Sequence, residues 1–411
     1  KEDSEDPENS EVDEDEEVDF SSDLTIDHHP QRNADYSLLH DNFSVEVDNQ
    51  DNGSDWVIGS FNISDNCKSV KGNTLSLRNN PASISDIRLL SLNDIYIFDE
   101  NIDGSVTKYF GAELHEVVMS DISFNCYRPP KPDQSHVWCL EVAENPPYDL
   151  KSTLKSCTNF LIQATEQDNE VDLHMAHTLT QLLPVFVAGS QDNSIEDSYV
   201  HHYLAPILQS IYSMDKKFTV RWSNGALKED TMFKPGFQVF SRVINIRCII
   251  IVAEFKAKSH NSAVESDLVK LGKQMKVMYN ELVEKRIPKP TVCGLLCQGE
   301  NLKTYVMDMT SSHTYRMVKL SSVTLCQNVE ELHLLPTFIS KLTQIKVRTK
   351  YIKMVFKIIK NIAIENVQKA EDCIITANNS MHRQPCNPPE SWLSYSSCQL
   401  SRASKKRKPS D

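Results

Sequence analysis

Apolar residues along this chain gather into element-sized runs only after about residue 84. The longest run without a charge is Cys248-Ile249-Ile250-Ile251-Val252-Ala253. It shows no polar alternation, which predicts a strand covered on both faces, spanning 247–256. Shorter runs predict strands over 218–222 and 237–243 before it, and over 291–296, 304–309 and 316–320 after it. Asn224-Gly225 supplies a turn behind the first of these.

Two helices complete the pattern. Ile195, Tyr199, Val200, Tyr203, Leu204, Ile207 and Leu208 recur at helical spacing behind Asn193-Ser194, residues suited to cap a helix start. Pro206 kinks that helix or begins a second one. Residues 262–286 predict a long helix with Val264, Leu268, Leu271, Met275, Met278 and Leu282 on one face. The order over 185–340 is helix, three strands, helix, then more strands, which predicts an α/β sandwich around a mixed sheet.

Around this segment the texture differs. Residues 84–184 carry short apolar runs such as Ile95-Tyr96-Ile97-Phe98 and Val137-Trp138-Cys139-Leu140, punctuated by prolines, and predict a small mixed α+β region of its own. Residues 1–83 are acidic and then Asn/Ser-rich, predicting a disordered tail and a polar linker. Residues 341–369 predict a helix, and residues 370–411 a disordered tail.

Charge sharpens these divisions. Residues 1–24 hold 13 acids and one base, and the run Glu11 to Glu17 repels itself too strongly to fold. Residues 185–340 are slightly basic, with 18 bases to 15 acids, and residues 341–411 are strongly so, with 14 bases to 5 acids. The net charge of −14 therefore hides an acidic front and a basic back. The 11 cysteines form no framework, and Cys248, Cys293 and Cys297 fall in predicted core strands, which fits a reducing compartment. Cys293 and Cys297 lack partners at zinc-site spacing. No apolar run is long enough to predict a membrane span.

Candidate chemistry sits at the end of the long strand, in Glu254-Phe255-Lys256. Side chains alternate along a strand, so Glu254 and Lys256 share one face. An acid and an ammonium beside a buried strand need each other, a metal or a substrate. With Pro235-Gly236 on the preceding strand and an acid on the first helix, the layout resembles the PD-(D/E)XK nuclease-like superfamily. It is similar, more narrowly, to a large uncharacterised fungal family with the same order of elements. The stretches that carry the resemblance lie within about residues 190–320: Tyr199 to Leu208, Val220 to Gly225, Pro235-Gly236-Phe237, Ala253 to Lys256, Asp267 to Lys273 and Val292-Cys293-Gly294.

The resemblance implies a restriction-endonuclease-like sandwich. Glu196, or Asp197 in its place, would be the helix carboxylate, Glu254 a metal ligand on the strand, and Lys256 the lysine beside the attacking water. A magnesium ion held by Glu196 and Glu254 would serve phosphodiester hydrolysis. Gly236, however, occupies the position of the metal-binding aspartate. The expectation is therefore a degenerate site, with at most weakly held magnesium and retained nucleic-acid or protein binding. Two alternatives stay open: an active metal-dependent nuclease that recruits Glu229 or Asp230, and a charge-driven protein interaction module. Glu254 and Lys256 also read as a simple same-face pair, and His201 and His202 as core or surface histidines.

Lys270 and Lys273 on the long helix are candidate phosphate contacts, or a solvated face. Lys346, Lys350, Lys353, Lys357 and Lys360 recur every three or four residues, which predicts one basic stripe opposite Ile345, Ile352, Val355, Ile359 and Ile362. Such a stripe suits a nucleic-acid backbone, an acidic surface or an acidic protein partner; packing with the lysines in water is the plainer reading. Lys405, Lys406, Arg407 and Lys408 form a compact terminal cluster of the nuclear-import kind, which predicts a nuclear location, with a cytoplasmic one otherwise.

Overall fold

The computed structural model describes residues 55–77, 84–124, 128–189, 196–222, 227, 233–243, 246–256, 266–285, 287, 289–347, 388 and 390–395. The expected acidic tail of residues 1–50, Lys350, Lys353, Lys357, Lys360 and the terminal basic cluster all lie outside them.

A seven-stranded mixed sheet organises the fold. Its members are β3 (Ile95–Phe98), β4 (Thr219–Trp222), β5 (Phe237–Val243), β6 (Ile246–Lys256), β7 (Val292–Gln298), β8 (Asn301–Ser311) and β9 (Thr314–Thr324). They lie in the order β3-β9-β8-β7-β6-β5-β4. The pairs β3–β9 and β6–β7 are parallel and the rest antiparallel. Strand β6 is near the centre, and Cys248 to Ala253 are all buried, which explains the run without a polar residue.

Helix α9 (Asp267–Glu284) covers one face. Ser266 caps its start, its hydroxyl accepting from the Val269 N–H at 3.3 Å. The helix approaches β7 so closely that a Cβ on Gly294 would lie 2.5 Å from the Met275 sulfur. A larger residue there would have to displace the Met275 side chain.

The other face is covered by one continuous helical stretch. It runs through α7 (Glu196–Tyr199), a wide π turn at Val200–Leu204, α8 (Ala205–Leu208) and a second π turn at Gln209–Ser213. Pro206, expected to kink or start a helix, stands second in α8, where its missing N–H takes one bond out of the continuous helical ladder. Ahead of it the turn widens, and the Ala205 N–H reaches back to the Val200 carbonyl.

Three expectations change. Residues 51–83 are not only linker: β1 (Val57–Ile58) and β2 (Phe61–Asn62) form a hairpin that feeds α1 (Ile63–Ser76). Helix α1 buries Ile63, Cys67, Val70 and Thr74, a narrow stripe that its polar composition conceals. Residues 84–184 do not stand apart, because β3 forms an edge of the common sheet. The rest of that segment is helical: α2 (Asp86–Ser91), α3 (Ala112–Phe124), α4 (Ser135–Glu144), α5 (Leu150–Glu166) and α6 (Glu170–Ala188). The run at Val137-Trp138-Cys139-Leu140 belongs to α4, whose first N–H groups at residues 133–135 are capped by the buried Asp172 carboxylate of α6. Finally, within the tail expected to be disordered, Leu393 and Ser394 are buried against the fold. Among the described residues, no helix is long and apolar enough to cross a membrane.

Candidate functional site

Strand β6 delivers Glu254 to the face under α9, at the end where β6 and β7 finish side by side. Ligands of open α/β sheets gather at such carboxyl ends. Glu254 is 4% exposed, and both of its oxygens are engaged. Lys270 donates to Oε2 at 2.5 Å and Gln274 donates to Oε1 at 2.5 Å. The two donors lie one turn apart on α9, so one helix face supplies both. Burial raises the Glu254 pKa above the usual carboxylate value, and the Lys270 ammonium and the Gln274 amide pull it back only in part. Oε1 of Gln274 is itself buried and accepts no hydrogen bond from the described residues.

Of the other described residues expected here, Lys256 and Gly236 do not converge on that carboxylate. The ammonium on Glu254 belongs to Lys270. Lys256 is half-buried two residues on, its carbonyl accepting from the Gly299 N–H at 2.8 Å. Gly236 just precedes β5, where Phe237 pairs with Ala253. A Cβ at 236 would lie 3.1 Å from the Phe255 ring and 3.6 Å from the Ala253 carbonyl oxygen. Phe255 packs with Trp222 and Phe237 on the side of the strand opposite Glu254. Position 236 thus opens toward an aromatic cluster.

Glu196 opens α7, whose stretch packs on that same opposite face. Tyr199 donates to the Gly299 carbonyl at 2.5 Å, and Tyr212 lies against Phe237. Asp197 and His201 are exposed and His202 half-buried, its ring edge-on to Tyr203. Glu229 and Asp230 lie outside the described residues.

Among the described residues no group of three or more His, Cys, Asp or Glu side chains is placed to hold a metal. Magnesium asks for near-octahedral oxygen ligands. Glu254 already carries an ammonium and an amide, so the described residues do not fit the ion that the resemblance implies. Cys293 and Cys297 are core residues of β7, and burial pushes the Cys297 thiol up to about 12.

The candidate phosphate-contacting lysines also move. Lys270 is taken up by Glu254, and Lys273 is half-buried on α9. Lys346, expected on a solvent-facing basic stripe, is 2% exposed in the helix over residues 335–347. Its ammonium lies 2.9 Å from Glu170 Oε1, 2.9 Å from His174 Nε2 and 3.8 Å from Asp215 Oδ2. A buried ammonium requires such partners, and α6 supplies two of them. Periodicity placed Lys346 on a basic face but could not tell that the fold would bury it.

A second polar cluster escaped the sequence reading. Asp94 turns the chain into β3 with φ of 63°, a left-handed conformation that Asp tolerates, and is 3% exposed. Lys71 pairs with its carboxylate, and Lys276 lies 4.0 Å from Oδ2 while donating to the Asn93 carbonyl at 2.8 Å. Burial lowers the Lys276 pKa to about 8, with Asp94 opposing and Lys71 reinforcing the shift. The one local signal was the Asn93-Asp94 turn dipeptide.

Comparison with protein-family models, with curated proteins and with solved structures finds no match.

Proposed function

We propose that this chain is a catalytically degenerate nuclease-like protein that keeps a binding role. The observation that carries the reading is the Glu254 carboxylate, which holds Lys270 and Gln274 where a catalytic site would hold a cation. Glycine at 236, with the Phe255 ring beside it, supports the same conclusion. In this reading the α/β sandwich is of the PD-(D/E)XK type, and the terminal cluster Lys405 to Lys408 directs it to the nucleus.

The test is cleavage of single- and double-stranded DNA by the purified chain with magnesium or manganese. No metal-dependent cleavage is expected. Cleavage that disappears in Glu254→Ala would instead support the active alternative, with Glu229 or Asp230 as the relocated ligand.

Between nucleic-acid and protein binding, the internal use of Lys270 and Lys346 favours a protein partner, since two of the seven candidate phosphate contacts are already committed. Binding titrated against salt separates the two. DNA affinity that falls steeply with salt supports phosphate contact, and absence of DNA binding at low salt supports a charged protein partner.

A further inference from the structure

A short stretch near the end of the chain is bound to the fold in the manner of a peptide ligand. Glu390–Trp392 makes one 3-10 turn, Leu393 and Ser394 are buried, and Tyr395 is 65% exposed. Residues 348–387 separate this stretch from the preceding helix.

Ser394 is recognised at all three of its polar groups. Its N–H donates to the Tyr315 hydroxyl at 2.8 Å, and its carbonyl accepts from Asn280 Nδ2 at 3.2 Å. Its hydroxyl donates to Asp94 Oδ2 at 2.7 Å. Two residues upstream, the Trp392 carbonyl accepts from the His313 N–H at 3.1 Å. Main-chain pairing of this kind gives affinity, and a side-chain contact gives specificity.

The groups that read Ser394 are fixed by contacts of their own. The Tyr315 hydroxyl donates to Asn280 Oδ1 at 2.6 Å, and the Tyr315 N–H donates to the Asp94 carbonyl at 3.0 Å. Lys71 and Lys276 stand beside the Asp94 carboxylate. Asp94, Asn280 and Tyr315 therefore each have a partner within the sheet, α1 or α9, so these three readers are preorganised rather than completed by the segment. Upstream, Pro388 lines a cavity of about 250 Å³ with Tyr279, Asp308 and Arg316.

We propose that Asp94, Asn280, His313 and Tyr315 form a peptide-docking site selective for serine, and that residues 391–395 of this chain are its resident ligand. Serine is required because Asp94 needs a short donor at Oδ2. Alanine leaves that position empty, and an acidic side chain repels the carboxylate.

The test uses the full chain. Leu393→Asp releases the segment without altering a reading residue, and anisotropy of a fluorescein-labelled peptide of residues 388–397 reports the vacated site. The variant is expected to bind this peptide about tenfold tighter than the unsubstituted chain, whose tethered segment competes. The peptide carrying Ser394→Ala is expected to bind it about tenfold more weakly. Ser394→Glu, which sets a carboxylate against Asp94 while keeping Leu393, is a second releasing variant with the same expected outcome. Equal binding of the serine and alanine peptides overturns the proposal. So does lack of peptide binding to both variants when both unfold cooperatively. Failure of both to fold overturns it as well, because the segment is then part of the core.

Discussion

Lys270 sets its ammonium 2.5 Å from Oε2 of Glu254, joining the end of β6 to the first turn of α9. The acid is 5% and the lysine 34% exposed at the side chain, so one partner is desolvated and the other stays in reach of water. That asymmetry sets what each substitution does.

Lys270→Ala leaves the Glu254 carboxylate buried beside a neutral amide, and is expected to destabilise the fold by about 2–3 kcal/mol in urea unfolding. Glu254→Gln removes the desolvated charge and lets Lys270 reach solvent, so stability near neutral pH is expected to stay within about 1 kcal/mol of the parent. The pH dependence has a definite sign. The folded Glu254 pKa is raised, so the folded chain keeps this proton to higher pH than the unfolded chain. Stability from this group is present below the ordinary carboxylate pKa and lost as pH rises through the raised value. Glu254→Gln is expected to lose that component.

Gly236→Asp restores the residue type of a nuclease at this position but not its direction. Its Cβ would start 3.1 Å from the Phe255 ring, so a loss of about 1–2 kcal/mol from crowding is expected in thermal unfolding. With Lys270 still on Glu254, no magnesium-dependent cleavage is expected. Cleavage by this single variant would support a nuclease-like chain disarmed at position 236 and would overturn only the direction assigned to that position.

Lys276 gives a test at alkaline pH. Its folded pKa is lowered to about 8 from the ordinary 10.5, so between those values the unfolded chain holds a proton that the folded chain lacks. Unfolding free energy therefore rises with pH through that window, and the gain is lost as pH falls through the folded value. Relative to Lys276→Met, the parent is expected to gain roughly 3 kcal/mol between about pH 7 and pH 10 in urea titrations. A flat difference would contradict the burial of this lysine.

Thiol accessibility tests the packing of the core. Cys67, Cys139, Cys157, Cys248, Cys293, Cys297 and Cys326 are free and buried. Burial raises the pKa of Cys67, Cys139, Cys157, Cys248, Cys297 and Cys326, to about 11 for Cys157 and to about 12 for Cys326. A thiol held protonated and out of solvent reacts slowly. Of the 11 cysteines, at most the four outside this set are expected to react rapidly with DTNB in the native chain, and all 11 after denaturation. Rapid native labelling of Cys293 or Cys297 would place β7 outside the core.

Local periodicity carries much of the fold. The uncharged run at Cys248 to Ala253, the apolar face of α9 and the strands that follow it are each set by side-chain spacing within one element, and the sequence alone determines them. The charge division and the thiol-rich core strands are equally legible. What lay beyond it are contacts between residues far apart in the chain: β3 against β9, Lys346 against Glu170, and Ser394 against Asp94. Periodicity locates a face, but burial and pairing depend on what another segment brings to it. Glu254 shows both halves. Its place at the end of a central strand is written in the sequence, whereas its partner was decided by the register of α9 over β6, which put Lys270 and Gln274 above the carboxylate.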